Sequence, residues 1–138
     1  MMQLKWEKEG YIVSDDKTLL QMGKIEAWIS GAYWAAGRSR EIIEKSIQHS
    51  LCFGMYDKDG RQIGFARVIT DQAVFSWIMD VIIDQEFRGK GLGKKLVECI
   101  ISHPDIVHTK MGLATKDAHG LYRQFDFEMD ECMRRPLL

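Results

Sequence analysis

Residues 88–93 read Arg88-Gly89-Lys90-Gly91-Leu92-Gly93, a glycine-rich stretch between a predicted strand and a predicted helix. The strand is the apolar, β-branched run 75–83, and the helix is indicated by apolar residues at helical spacing over 92–100. Glycines let backbone amides approach an anion because no Cβ stands in the way. The start of a helix adds partial positive charge and unpaired donors. The stretch therefore predicts a phosphate-binding loop.

Two well-known phosphate loops do not fit these residues. A Walker loop needs Gly-Lys-Ser/Thr, whereas Lys95 follows Gly93-Lys94 here. The dinucleotide fingerprint needs a further glycine at position 94, which is Lys94. The pattern that the residues do fit is Arg-x-x-Gly-x-Gly over 88–93. The alternative to a phosphate-binding loop is a plain strand-to-helix turn with solvated lysines.

The composition predicts a single domain, residues 1–138, with one core. The net charge of −1 gives no overall field that would favour nucleic acid or an anionic membrane as a partner. No apolar run approaches the roughly 18 residues that span a bilayer, and the N-terminal residues lack a signal-peptide apolar region. We therefore expect no membrane association.

The three cysteines, Cys52, Cys99 and Cys132, are odd in number, widely spaced and free of any Cys-x-x-Cys pair. This pattern argues against a disulfide framework or a zinc site and suits a reducing cytoplasm. The four histidines have no metal-binding spacing either, so no metal is expected. Cys99 falls on the apolar stripe of the predicted helix and is interpreted as a core thiol rather than a nucleophile.

The hydrophobic pattern predicts a mixed α/β sheet. Strands are expected at 11–13, 51–56, 62–70, 75–83 and 107–115, with one or two closing strands in 127–134. Helices are expected after a cap at 14–16, then over 40–49 behind Ser39, over 91–102, and over 118–124. Residues 57–60, Asp-Lys-Asp-Gly, predict a hairpin turn.

Two segments resemble the GNAT superfamily of N-acetyltransferases. The Arg-x-x-Gly-x-Gly stretch resembles its acetyl-CoA diphosphate loop. Residues 115–127 resemble its Asn-x-x-Ala-x-x-Leu-Tyr-x-x-x-Gly-Phe motif and match it at Ala118, Leu121, Tyr122 and Phe127. Thr115 replaces the usual Asn and Asp126 replaces the usual Gly, although Asp tolerates left-handed backbone better than most residues. The resemblance implies a GNAT fold: a mixed central sheet with splayed fourth and fifth strands and helices on both faces.

The resemblance also implies how acetyl-CoA binds. Pantetheine is expected to lie between the splayed strands, paired with backbone groups of Val81, Ile82 and Ile83. The Thr115 hydroxyl is expected to contact the same arm. The diphosphate is expected to bind backbone amides of the loop, namely those of Arg88, Gly89, Lys90, Gly91, Leu92, Gly93 and Lys94.

Tyr122 is the predicted general acid for the leaving CoA sulfur. A phenol with a pKa of about 10 is protonated at neutral pH and matches a thiolate of similar basicity. A half-buried Tyr that packs the short helix is the alternative, and His119 either touches CoA or is exposed. The general base stays open among carboxylates and a water chain to bulk solvent; the carboxylates are Asp80, Asp84, Glu41 and Glu44.

The acceptor is predicted to bind where residues 31–37 separate the first two helices. Tyr33 and Trp34 could wall a pocket and attract an ammonium, and Arg38 could pair with a carboxylate or phosphate. The residues favour an acceptor with an amine and an anionic group over a polyamine. The alternative is that both aromatics plug the end of the core while the two neighbouring arginines, Arg38 and Arg40, are solvated.

The function predicted from the sequence is acetyl-CoA-dependent transfer to a primary amine of a small molecule or peptide. Transfer is expected to be direct, within a ternary complex, because no cysteine is placed as an acyl carrier. A non-catalytic acyl-CoA-binding or sensing domain is the alternative. The sequence leaves the acceptor and the choice between monomer and homodimer open.

Overall fold

The computed structural model describes residues 4–32, 35 and 37–136. Within them, a six-stranded sheet runs in the order β1-β2-β3-β4-β5-β6. Its strands are β1 (Lys5–Lys8), β2 (Tyr11–Ser14), β3 (Leu51–Tyr56), β4 (Gln62–Thr70), β5 (Phe75–Ile83) and β6 (Lys110–Leu113). The first five strands are antiparallel and β6 lies parallel to β5, so the sheet is mixed, as predicted.

Helices cover both faces of the sheet, which confirms the predicted α/β class. They are α1 (Met22–Ser30), α2 (Arg40–Gln48), α3 (Leu92–Ser102) and the short α4 (His119–Arg123). The Ser39 hydroxyl accepts a hydrogen bond from the amide of Ile42 at 3.2 Å and caps α2, as its position predicts. No helix in the described ranges is long and apolar enough to cross a membrane.

Each face of the sheet has its own apolar core. On one face, Leu96 and Ile100 of α3 pack with Phe53 and Met55 of β3. On the other face, Ile25 and Ile29 of α1 and Ile43 and Ile47 of α2 pack against Phe65. Burying each such side chain contributes about 1.5–3 kcal/mol, so helical spacing of apolar residues fixes how α1, α2 and α3 lie on the sheet.

A β-bulge lies at the middle of β5. Arg67 pairs with Met79 and Phe65 pairs with Ile82, so β5 carries one residue more than β4 between these pairs. Asp80 takes up the extra length with a φ of +52°. The bulge shifts the side-chain alternation, so that Ile78 packs in the α3 core and Ile82 in the α1/α2 core.

The bulge coincides with the separation of β5 and β6. Their parallel pairing runs from Phe75 opposite Lys110 to Ile78 opposite Leu113 and ends there. Beyond this point β5 continues to Ile83 with β4 as its strand partner. This is the predicted splay of the fourth and fifth strands, which are β5 and β6 here because β1 was not predicted.

The structure differs from the sequence-based expectations at both ends of the chain. The cap at 14–16 starts a 3-10 turn at Lys17–Leu19, and α1 begins only after it. The later start follows from a contact with β4: the Gln21 amide donates to the side-chain oxygen of Gln62 at 2.7 Å, and the Gln62 amide donates to the side-chain oxygen of Gln21 at 3.1 Å. The predicted strand 107–115 shortens to β6. The strand expected in 127–134 is wrong for the described residues, since Asp130-Glu131 interrupts the period-two apolar pattern.

A buried polar pair ties the N-terminal strands to the end of α3. Asp15 accepts hydrogen bonds from the amide of Leu4 at 2.7 Å and from Nε2 of His103 at 2.8 Å. Nε2 is the donor because Nδ1 accepts from the Asp105 amide at 3.1 Å. The histidine ring also lies edge-on to Phe53, with centroids 5.6 Å apart.

We expect Asp15→Ala to lower the free energy of unfolding by about 2–3 kcal/mol, because it leaves buried donors without partners. Urea denaturation measures this change. Asp59→Ala, at the exposed hairpin turn, is the control and should stay within about 0.5 kcal/mol of wild type. Equal midpoints for the two variants would contradict a structural role for the Asp15–His103 pair.

Candidate active site

The glycine loop leaves β5 through a short 3-10 turn, Gln85–Phe87, which Asp84 caps by accepting from the Glu86 amide at 3.0 Å. Gly89 and Gly91 then adopt positive φ values of 82° and 76°, and Gly91 is the N-cap of α3. An L side chain rarely adopts this backbone, which explains why glycine stands at both positions. The sequence-predicted loop is therefore a tight left-handed connection into α3.

Six consecutive amides, those of residues 89–94, donate to no acceptor in the described part of the chain. The first protein hydrogen bond beyond them is from the Lys95 amide to the Gly91 carbonyl, at 3.3 Å. A Cβ added at Gly89 or Gly91 would meet nothing within 4 Å, so this surface is open. Unpaired amides at the positive end of a helix fit an anionic group such as a diphosphate.

The cationic side chains around the loop have different partners. Lys90 lies over the Phe87 ring, 5.2 Å from its centroid, and stays at the exposed rim. Arg88 donates from Nε to the carbonyl of Ile83 at 3.1 Å. Lys95 pairs with Glu9 at 3.0 Å and so ties α3 to the β1–β2 hairpin. Arg88 and Lys90 thus border the open amides, whereas the Lys95 ammonium is paired with Glu9.

Val81, Ile82 and Ile83 occupy the part of β5 that lies beyond its pairing with β6. Their side chains are core residues: Ile82 lies in the α1/α2 core, and Val81 and Ile83 pack against the α3 core. Only the backbone groups of these three residues can therefore form hydrogen bonds with a bound molecule. Leu92 is likewise 2% exposed, so its side chain belongs to the core and its amide to the loop.

Thr115, His119 and Tyr122 line one groove of about 720 Å³ that runs along β6 and is bounded by residues 127–134. The Thr115 hydroxyl oxygen accepts from the Ala118 amide at 2.9 Å, which leaves its proton free to donate. Asp126, where the family motif has glycine, adopts a φ of +67°, so Asp supports the left-handed turn there.

Tyr122 is buried, and its ring lies edge-on to Phe127 with centroids 5.7 Å apart. Burial raises the pKa of its phenol above the ordinary value, so the hydroxyl stays protonated at neutral pH. Its role as the proton donor stays a prediction, for which the phenol has the protonated form that the role requires.

Burial also decides the state of two of the three thiols. It raises the pKa of Cys52 and of Cys99 to about 11, so both are protonated at neutral pH. A protonated, packed thiol is a poor acyl carrier. In the described ranges, no group of three or more His, Cys, Asp or Glu side chains is arranged to hold a metal ion.

Asp80, one of the four carboxylates considered as general base, lies in a buried ion cluster. Arg38 donates to both of its oxygens, at 2.8 and 3.1 Å, and Arg67 donates to one of them at 3.0 Å. Burial alone would raise the pKa of Asp80, but the hydrogen bonds and charges of Arg38 and Arg67 outweigh it and hold the pKa below its ordinary value. Asp80 is thus a stable carboxylate and a poor proton acceptor.

Of the three residues predicted to bind the acceptor, the structure describes one, Arg38. Tyr33 and Trp34 lie outside the described residues. Arg38 is described and bonded to Asp80, so it is not merely solvated. Arg67 is a member of this cluster that sequence reasoning missed. A charged residue inside the apolar strand 62–70 is the signal that could have revealed it, because such residues are buried only with partners.

Comparisons with known proteins agree with this geometry. The family model described as an acetyltransferase (GNAT) domain matches residues 48–129. A solved GNAT-family protein from Xanthomonas campestris is 38% identical, with a TM-score of 0.89 over 95% of this chain and 96% of its own. A GNAT structure from Elizabethkingia anophelis with acetyl-CoA bound shares the fold, with a TM-score of 0.69 at 14% identity over 90% of this chain and 80% of its own.

Among curated sequences, a Gibberella zeae protein named as an acetyltransferase is 29% identical in an alignment that covers 69% of this chain and 64% of that relative. The chain therefore spans less than two thirds of that relative's length. The family model covers more than half of the chain and includes both β5 and the glycine loop. The chain belongs to the GNAT acetyltransferase family.

Proposed function

We propose that this protein transfers an acetyl group from acetyl-CoA directly to a primary amine of a small molecule or peptide. The observation that carries the proposal is the set of six amides at the start of α3 that have no acceptor among the described residues, in the loop that follows the part of β5 not paired with β6. An anion-binding helix start next to a gap in a sheet suits a donor with a diphosphate at one end and an extended arm.

The donor is proposed to bind along this path. The amides of residues 89–94 would hold the diphosphate, and Arg88 and Lys90 at the rim would add positive charge. The backbone of Val81–Ile83 would pair with the pantetheine arm, to which the Thr115 hydroxyl could donate. Acetyl-CoA itself supplies an acyl group activated as a thioester.

The transfer needs a neutral amine, a route for its proton and an acid for the sulfur. The amine nitrogen forms a bond to the acyl carbon, the carbon–sulfur bond breaks, and the departing thiolate takes the phenolic proton of Tyr122. Because burial raises the pKa of Tyr122, that proton is present at neutral pH. The amine's excess proton passes to water, and water returns a proton to the Tyr122 phenolate. Asp80 is not proposed as the base, since both of its oxygens are engaged by arginines.

Direct transfer is proposed because the buried thiols of Cys52 and Cys99 are protonated and packed, and the exposed Cys132 thiol donates to the Met133 carbonyl at 3.8 Å. We also propose that residues 1–138 act as one domain, since a single sheet carries both core layers. A cytoplasmic location fits the three free cysteines, and either a monomer or a homodimer fits the proposed chemistry.

The test is release of CoA thiol from acetyl-CoA in the presence of a panel of primary amines, with mass spectrometry of each amine. We expect one class of amine to gain an acetyl group in step with thiol release. Saturable acetyl-CoA binding without acetylation of any amine would contradict the proposal and favour the non-catalytic domain.

A further inference from the structure

A buried ion cluster of Arg38, Arg67 and Asp80 lies beside the gap between β5 and β6. The Asp80 side chain is fully buried and sits at the bulge with a φ of +52°. A non-glycine residue in this conformation is strained and persists only where its surroundings hold it. Here the Arg38 guanidinium binds both oxygens of the carboxylate, and Arg67 binds one of the same two oxygens.

The cluster carries more positive than negative charge. Two guanidiniums face one carboxylate, and within the described part of the chain neither of them contacts a second carboxylate. The remaining contacts of Arg67 are with neutral groups, the Ser50 hydroxyl at 3.0 Å and the Met79 sulfur at 3.4 Å. Buried charges are normally compensated, so the cluster has one positive charge that can attract an anion.

Only Arg38 makes this charge accessible. Its side chain is 19% exposed, whereas that of Arg67 is 8% exposed. A guanidinium has five N–H donors, and Arg38 uses two of them on Asp80, so three have no acceptor among the described residues and can bind another molecule. Arg38 can therefore hold Asp80 and an external anion together.

The position of the cluster relates it to the acceptor. Asp80 directly precedes residues 81–83, whose backbone is proposed to pair with the pantetheine arm, and adjacent Cα atoms lie about 3.8 Å apart. Because the proposed diphosphate loop follows residue 83, the thioester end of that arm would lie toward Asp80. Arg38 reaches Asp80 from the chain that joins α1 to α2, on the opposite face of the sheet from α3. An anion bound by Arg38 would thus lie next to the acyl group.

We propose that Arg38 binds an anionic group of the acceptor, a carboxylate or a phosphate, and that the protein acetylates amines that carry such a group. This inference rests on the proposed acetyl transfer. Asp80 acts as a positioning residue, because it fixes the Arg38 guanidinium at the bulge. Polyamines are excluded by repulsion from the excess positive charge.

The first experiment compares acetylation of β-alanine, 2-aminoethyl phosphate and the neutral β-alaninamide. We expect kcat/KM for the better anionic acceptor to exceed that for β-alaninamide by about 10- to 100-fold, the usual scale of a charge-assisted hydrogen bond. The two anionic acceptors distinguish carboxylate from phosphate. Equal or faster acetylation of β-alaninamide by the wild type would overturn the inference.

Variants then assign the effect to Arg38. Arg38→Ala should raise the KM of the anionic acceptor about 10- to 100-fold and leave the KM of acetyl-CoA nearly unchanged. Arg38→Lys keeps the charge without the fork and should recover part of this loss. Arg40→Ala is the control, because Arg40 is 54% exposed and pairs with Glu44 and Glu26 outside the cluster. Equal effects of Arg38→Ala and Arg40→Ala would contradict the assignment.

A binding experiment separates this inference from the proposed function. With CoA at saturation, inorganic phosphate should raise the melting temperature of the wild type and of Arg40→Ala, but not of Arg38→Ala. That result without acetylation of any amine would refute the proposed function and leave the anion site standing. If amines were acetylated equally well with and without an anionic group, and if phosphate raised the melting temperatures of the wild type and Arg38→Ala equally, the anion site alone would be refuted.

Discussion

Gly91→Glu is expected to abolish the rise in melting temperature that acetyl-CoA produces in the wild type. At a donor concentration 100 times its Kd, binding stabilises the folded state by about 2.7 kcal/mol, which is roughly 8 °C for a chain of this size. The substitution places a carboxylate among the six open amides of residues 89–94. The negative charge would occupy the anion site and repel the diphosphate.

Two controls separate charge from backbone strain. Gly91 has a φ of +76°, so any side chain there is strained, and Gly91→Ala measures that strain alone. Gly60 at the hairpin turn has a φ of +81° and open space around it, so Gly60→Glu adds the same charge and similar strain away from the loop. A folded Gly91→Glu protein that binds acetyl-CoA like Gly60→Glu would refute the loop assignment.

Tyr122→Phe is expected to lower kcat by about 10- to 1000-fold, the scale of losing a general acid, with little change in acetyl-CoA affinity. The ring and its contact with Phe127 are retained, so only the phenolic hydroxyl is lost. Single-turnover measurements with an acetylated amine are the test, since they report chemistry even where product release limits kcat.

Tyr56→Phe is the matched control, because Tyr56 is also buried and its hydroxyl has no hydrogen-bond partner among the described residues. Equal single-turnover rates for Tyr122→Phe and Tyr56→Phe would remove Tyr122 from the mechanism.

The pH dependence of the wild type gives a further check on Tyr122. The protonated phenol is the active form, and it is lost as pH rises through its pKa. Burial raises that pKa above the ordinary value of about 10, so loss of this proton should lower kcat by less than about a tenth at pH 9 or below. An alkaline decline near pH 8 that disappears in Tyr122→Phe would show that the phenol titrates far lower than its burial implies.

The parts of the fold with local signals were predictable from the sequence. Glycines at 89 and 91 followed by helical apolar spacing predict the loop and α3, and Asp-Lys-Asp-Gly predicts the turn between β3 and β4. In these cases each residue's backbone preference agrees with its place in the structure. The left-handed Asp126 was anticipated for the same reason, since Asp tolerates that conformation.

The bulge and the ion cluster could not be predicted in the same way. Arg38 and Asp80 are 42 residues apart in the chain, and Arg67 and Asp80 are 13 apart, so no local pattern joins them. The bulge shifts the alternation inside the mostly apolar run 75–83, where the period alone does not show which face a side chain takes. The late start of α1 likewise depends on a tertiary contact, between Gln21 and Gln62.

The order of the strands in the sheet bears on how the protein is made. Because the sheet order β1 to β6 is also the chain order, each strand pairs with one that the ribosome has released just before it. Sequential pairing lets an antiparallel meander through β5 assemble as synthesis proceeds. The parallel β5–β6 pair must wait for the whole of α3, which places completion of the donor cleft at the end of folding. Nascent chains arrested before β6 should therefore resist proteolysis within strands β1 to β5 while failing to retain acetyl-CoA.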